Sequence, residues 1–211
     1  VKMETNGAVL KSFWVSKKVL DADLRISLPK LKTHTLTTLT GAVKNQLGLL
    51  PGGTKPALHV LAPGVAKLCR ALVEINRAVR FDFAVMDGIT GLEGGGSEKG
   101  RPKHAGIILA SRDLVALDTV AAKVMGIEPR AVPTNRIGKE LGLGENDLSL
   151  IHVCGDDLEA CVTRFSLPGR EPKKVPLVAR LLYRLRERSV RPFILNKACT
   201  RCMRCVEVCP V

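Results

Sequence analysis

Aromatic residues are scarce in this chain: five Phe, one Trp and one Tyr make up 3% of its 211 residues. Single-stranded nucleic acid is gripped by stacking bases on aromatic rings, so the scarcity weakens a nucleic-acid reading and no nucleic-acid partner is expected. The sequence also has no uninterrupted apolar run near the ~18 residues of a membrane-spanning helix, so no transmembrane segment is expected. The opening Val1-Lys2-Met3-Glu4 lacks the apolar core of a secretory signal, and the expected location is cytoplasmic. There is no initiator Met at position 1, and the chain stops one residue beyond Pro210. A fragment with sequence missing at both ends is therefore expected.

Acidic residues are also few, 20 against 33 Lys and Arg, for a net charge of +13. The imbalance is uneven. From Arg170 to the end, eleven basic residues face three acidic ones, Glu171, Glu187 and Glu207. Such a block can attract nucleic acid, anionic lipid or an acidic protein surface, the first disfavoured by the few aromatics.

Seven cysteines in a chain without a secretory signal argue for metal or redox use over a disulfide framework. Four of them form Cys199-Thr-Arg-Cys202-Met-Arg-Cys205-Val-Glu-Val-Cys209-Pro210. The spacing is that of bacterial ferredoxins, in which the fourth Cys of the run ligates the other cluster of a pair. Soft thiolates select iron–sulfur or zinc over hard cations. Zinc sites use two separated Cys pairs rather than one tight run with a terminal Pro, so a 4Fe-4S cluster is expected, with a zinc knuckle as the alternative. If Cys209 serves a second cluster, the first needs a ligand from beyond Val211. Cys154 or Cys161 are substitutes in principle, although an isolated Cys is more often a small buried hydrophobe. Cys69 lies on an apolar helix face and is read as core.

The remaining chain alternates strand and helix patterns. Strands are expected at Leu24–Leu28, Phe81–Met86, Ala105–Ala110 and Leu150–Cys154, and helices at Leu36–Leu49, Val65–Val79 and Thr134–Leu141. Another helix, with Leu114, Leu117, Val120, Ala121 and Val124 on one face, is capped by Ser111 or Asp113 and closed by Gly126. Such alternation predicts an α/β domain with a largely parallel sheet flanked by helices over residues 1–167. A basic linker and amphipathic helix follow over 168–195, and 196–211 begins a ferredoxin-type module.

Pro29-Lys30-Leu31-Lys32-Thr33-His34 follows a predicted strand, at the sheet edge where ligands of open α/β folds bind. Lys and His there can hold a phosphate or carboxylate, or move protons; a solvent-facing basic loop is the plain alternative. The glycine run from Gly91 through Gly94, Gly95 and Gly96 to Gly100 lets backbone N–H groups approach an anion. It lacks the Lys-Ser/Thr of a P-loop, and a flexible lid or ordinary loop competes with that reading.

Together these segments resemble the domain-of-unknown-function family numbered 362. The resemblance rests on Pro29–His34, Thr40-Gly-Ala-Val-Lys-Asn45 through Gly48, Pro51-Gly52, Lys55 and His59. It continues in Met86-Asp-Gly-Ile89, the glycine run, Ala110-Ser-Arg-Asp113 and Ala116-Leu-Asp118. The sequence departs from the pattern at Ser97, where Pro is expected. The resemblance implies a redox-associated α/β protein, often fused to a ferredoxin module. It also implies candidate site residues: His34, Lys32 and Asp87 for catalysis, and Lys30, Lys44, Asn45, Lys55, His59, Gly94, Gly95 and Gly100 for a bound ligand or cofactor. Cys199, Cys202, Cys205 and Cys209 are the expected metal ligands. The expected function is an iron–sulfur electron-transfer component, possessing an anionic-ligand site and a redox partner protein. The alternative is a non-catalytic ligand-binding or carrier protein that docks through its basic helix.

Overall fold

The computed structural model describes residues 1–52, 54–95 and 100–169. The basic segment from Arg170 onward and all four motif cysteines lie outside the described residues. The chain begins with a two-stranded antiparallel ribbon, β1 (Lys2–Glu4) and β2 (Ser12–Trp14), and a short α1 (Lys17–Leu20). Three short strands follow, β3 (Ile26–Ser27), β4 (Lys30–His34) and β5 (Thr38–Thr40), then α2 (Ala42–Asn45), a 3-10 turn at Gln46–Leu49, α3 (Thr54–Leu61) and α4 (Val65–Ala78). A long hairpin of β6 (Phe83–Gly95) and β7 (Gly100–Ser111) leads to α5 (Leu114–Val124) and α6 (Pro133–Glu140).

The main sheet is built around β6. Its first residues pair in parallel with β3, its middle with β4 at Asp87 and Leu92, and its other edge pairs antiparallel with β7 along nearly its whole length. With β5 antiparallel to β4, three of the five strands share one direction. The main core joins Leu31, Ala84 and Met86 from the sheet to Val43, Cys69, Val73, Val115, Leu117 and Ala121 from the helices. A second cluster seats Phe13 and Val15 on Leu68, Leu72 and Ile75 of α4.

Glu74 fastens the ribbon to α4. Its carboxylate, 4% exposed, accepts hydrogen bonds from the amides of Ala8, Val9 and Leu10 and pairs with Arg70 at 3.4 Å. α5 begins as expected: Asp113 accepts from the Val115 and Ala116 amides, and Gly126 at φ +69° ends it.

Several expectations are corrected. Lys30–His34 forms a strand, because Leu31 and Thr33 alternate inward with three polar residues outward. Only the middle of Leu36–Leu49 is helical; the β-branched Thr38 and Thr40 extend as β5 first. Gly91–Gly95 continue strand β6 and Gly100 opens β7, Gly94 pairing with Gly100. Leu150–Cys154 is no strand, since it finds no sheet edge and leaves Leu150 69% exposed. Cys69 is fully buried as expected, whereas Cys154 is exposed and Cys161 half-buried.

Candidate functional site

Strand parity sets the site's first three residues. On β4, Lys30, Lys32 and His34 occupy alternate positions and share one face, opposite the buried Leu31 and Thr33. At the near end, Lys30 Nζ lies 2.5 Å from Asp87 Oδ2, its direct neighbour on β6. That contact, with the Ile89 amide, holds the Asp87 carboxyl below its ordinary range. Asp87 is thus an ion-paired strand residue beside Lys30.

At the far end, the chain turns sharply into β5, with Thr38 at φ +67°, a costly conformation for a β-branched residue. This turn brings the amides of Leu36 and Thr37 onto His34 Nδ1 at 3.1 and 3.2 Å. Nδ1 therefore accepts, and the neutral ring carries its proton on Nε2. Burial, with the charges of Lys44, Lys32 and His59, lowers the His34 pKa to about 4. At neutral pH His34 is a hydrogen-bond donor through Nε2–H.

Lys44 reaches this cluster because α2 is pinned from beneath. The fully buried Asp118 accepts from the amides of Ala42 at 2.6 Å and Val43 at 3.0 Å. Its Oδ1 would lie 2.0 Å from a Cβ at position 41, so Gly41 is required for this approach. Burial raises the Asp118 pKa to about 7, against the two amide bonds that favour its charged form. Lys44 is lowered to about 8, by burial first and then by Lys32, with Cys69 acting the other way. His59, on α3 and one turn beyond Lys55, is lowered by burial and by Lys44.

Four expected residues, Lys32, His34, Lys44 and His59, therefore act on one another across β4, α2 and α3. Others take different duties. Asn45 Nδ2 donates to Ser27 Oγ, which also receives Gln46 Nε2. The Gly94 amide donates to the Ser166 carbonyl at 2.8 Å and is committed to holding the C-terminal strap. Gly91 is explained by packing, since a Cβ there would lie 2.6 Å from the Leu31 carbonyl and 2.8 Å from the Phe165 ring.

The profile described as Domain of unknown function (DUF362) matches residues 1–123, more than half of the chain. The chain belongs to the DUF362 family. It is also similar to a protein of Synechocystis sp. named thylakoid-associated protein sll1697, 36% identical over 155 residues. That alignment covers 73% of this chain and 48% of the relative, so the chain spans about half of the relative's length. No solved structure matches it. Among the described residues of this DUF362 protein, no helix is long and apolar enough to cross a membrane, and no group of three His, Cys, Asp or Glu side chains is placed to hold a metal ion.

Sequence reasoning missed Asp118 as the residue that positions Lys44. Its signal was present: Leu114, Leu117, Asp118 and Ala121 follow helical spacing, placing an acid on a buried face.

Proposed function

We propose that this DUF362 protein is an iron–sulfur redox component whose α/β domain binds a small anionic ligand at Lys32, His34, Lys44 and His59. The observation that carries the ligand site is the convergence of these four basic side chains from three elements, Lys44, Lys32 and His59 each lowering the His34 pKa. Bringing cations together while partly burying them disfavours their charged forms, and perturbed groups of this kind gather at functional sites. An anion seated there relieves the repulsion.

The roles divide by chemistry. His34, with Nδ1 engaged, donates Nε2–H and does not serve as a base. Lys44, with a pKa near 8, exists in both protonation states near neutrality and is the residue suited to proton transfer. Cys199, Cys202 and Cys205 would supply three soft thiolate donors to a 4Fe-4S cluster, and Cys209 a fourth thiolate to that cluster or to a second one; the chemistry a cluster supplies is one-electron transfer to a partner protein.

Oxalate titrated calorimetrically into the full chain tests the ligand site. Saturable binding is expected at pH 7, lost in Lys44→Met and weakening as pH rises past about 8. Affinity that is flat from pH 7 to 9 and untouched by Lys44→Met and Lys32→Met would sink the assignment.

The basic segment after Arg170 and the relative's thylakoid-associated name support a second reading, peripheral docking on an anionic membrane surface. Cosedimentation with phosphatidylglycerol vesicles that is abolished by salt would support it, and salt-independent or absent cosedimentation would oppose it.

A further inference from the structure

A cavity of about 250 Å³ lies at the C-terminal end of α4, walled by residues that are distant in sequence. Arg77 comes from the last turn of α4, Arg80 from the link to β6, and Arg112 from the turn between β7 and α5. None of the three guanidinium groups forms an ion pair among the described residues. The two nearest acids in sequence are already engaged. Asp82 accepts from the Arg25 amide, and Asp113 accepts from the amides of Val115, Ala116 and Glu145. A fourth guanidinium adjoins the group, since Arg25 Nη1 donates to the Arg80 carbonyl at 3.4 Å. Arg77 also faces the negative end of the α4 dipole, which accounts for one arginine and leaves two.

The rest of the wall points the same way. Phe81 and Leu143 supply apolar surface, and Asn76 closes the base. Asn76 is 2% exposed and spends its Nδ2 on the carbonyls of Leu72 and Val43, while its Oδ1 has no partner among the described residues. The cavity thus offers several fork-shaped cationic donors at its mouth, an apolar side, and one buried acceptor without a donor.

We propose that this cavity is a second ligand site, for a small phosphate monoester that carries a hydroxyl group. Guanidinium forks match phosphate oxygens bidentately, and three of them suit a dianion better than a single carboxylate. The volume, below the usual range for drug-sized ligands, fits a sugar phosphate and is too small for a dinucleotide. The ligand hydroxyl satisfies Asn76 Oδ1, whose neighbour Val43 directly precedes Lys44. Cys69, which acts on Lys44, lies two helical turns from Asn76, about 10 Å along α4. The two sites are therefore separate, the first on β4, α2 and α3 and the second at the end of α4.

The test is calorimetry on the full chain with glucose 6-phosphate and with inorganic phosphate, at pH 7 and pH 9. The sugar phosphate is expected to bind more tightly than inorganic phosphate. The exposed double substitution R80Q/R112Q, with folding checked by circular dichroism, should weaken it by about tenfold or more. K44M should leave it within about twofold, and the affinity should persist at pH 9, where guanidinium groups keep their charge. No saturable binding at millimolar ligand, or binding indifferent to R80Q/R112Q, overturns the proposal. Binding lost in K44M and at pH 9 overturns it too, by returning the phosphate to the Lys–His site.

Discussion

Lys44 shows at the scale of one residue how the site was legible and how it was not. Its place in Thr40-Gly-Ala-Val-Lys-Asn45 marked it as a candidate, but its pKa follows from burial beside Lys32, which only the fold reveals. Between about pH 8 and 10.5 the unfolded chain holds a proton on Lys44 that the folded chain does not. Stability should therefore rise with pH across that window. Lys44→Met removes a desolvated cation and should stabilise the protein at pH 7 by about 1–3 kcal/mol, discounted for partial exposure. The gain should vanish above pH 10.5, and urea unfolding at pH 7 and pH 11 measures it. A destabilised variant at pH 7 would show that the aliphatic stem matters more than the charge. His34 works in the same direction at lower pH. The unfolded chain binds its proton below 6.5 and the folded chain only near 4, so stability falls as pH drops through that interval. His34→Asn should flatten the decline.

The legibility of each element depended on whether its hydrophobic pattern was decided locally. α4 and α5 carry apolar faces at helical spacing, and α5 has both a capping Asp113 and a closing Gly126, so each was readable from sequence. β4 has one strongly apolar residue in five, and its strand character comes from pairing with β5 and β6. The glycines of β6 suggested a loop. In the fold Gly91 is a point of close approach, where any Cβ meets the backbone of Leu31. Gly91→Ala should therefore cost about 1–3 kcal/mol in chemical unfolding. Gly48→Ala, which meets nothing within 4 Å, should change stability by less than about 0.5 kcal/mol. Asp118→Ala leaves the Ala42 and Val43 amides buried without acceptors and should cost about 2–3 kcal/mol. The same substitution should loosen α2 and so raise the Lys44 pKa toward its ordinary value, a change that NMR titration of the lysine would follow.

At the scale of the whole molecule, the described core is closed at its C-terminal end by Phe165. Phe165 is buried against Gly91, the amides of Thr163 and Phe165 donate to the carbonyls of Val124 and Met125, and Ser166 bridges Glu93 and Gly94. Among the described residues, none of either core cluster lies beyond Phe165. A chain ending at Gly169 should thus fold with a cooperative thermal transition, while one ending at Ala160 loses Phe165 and its strap. Losing a buried Phe costs about 3–5 kcal/mol, a large share of the stability of a domain this size, and that shorter chain should melt far lower or not fold. Comparing the full chain with the one ending at Gly169 separates the two halves of the functional proposal. After anaerobic purification the full chain should contain iron and sulfide and give a reduced-cluster EPR signal after dithionite, whereas the chain ending at Gly169 should contain neither. If the Gly169 chain still binds oxalate with the full chain's affinity, the anion site belongs to the α/β domain alone, and the cluster acts on a ligand already held. Zinc without sulfide in the full chain would make the cysteine run structural and leave the Lys–His site to account for function unaided.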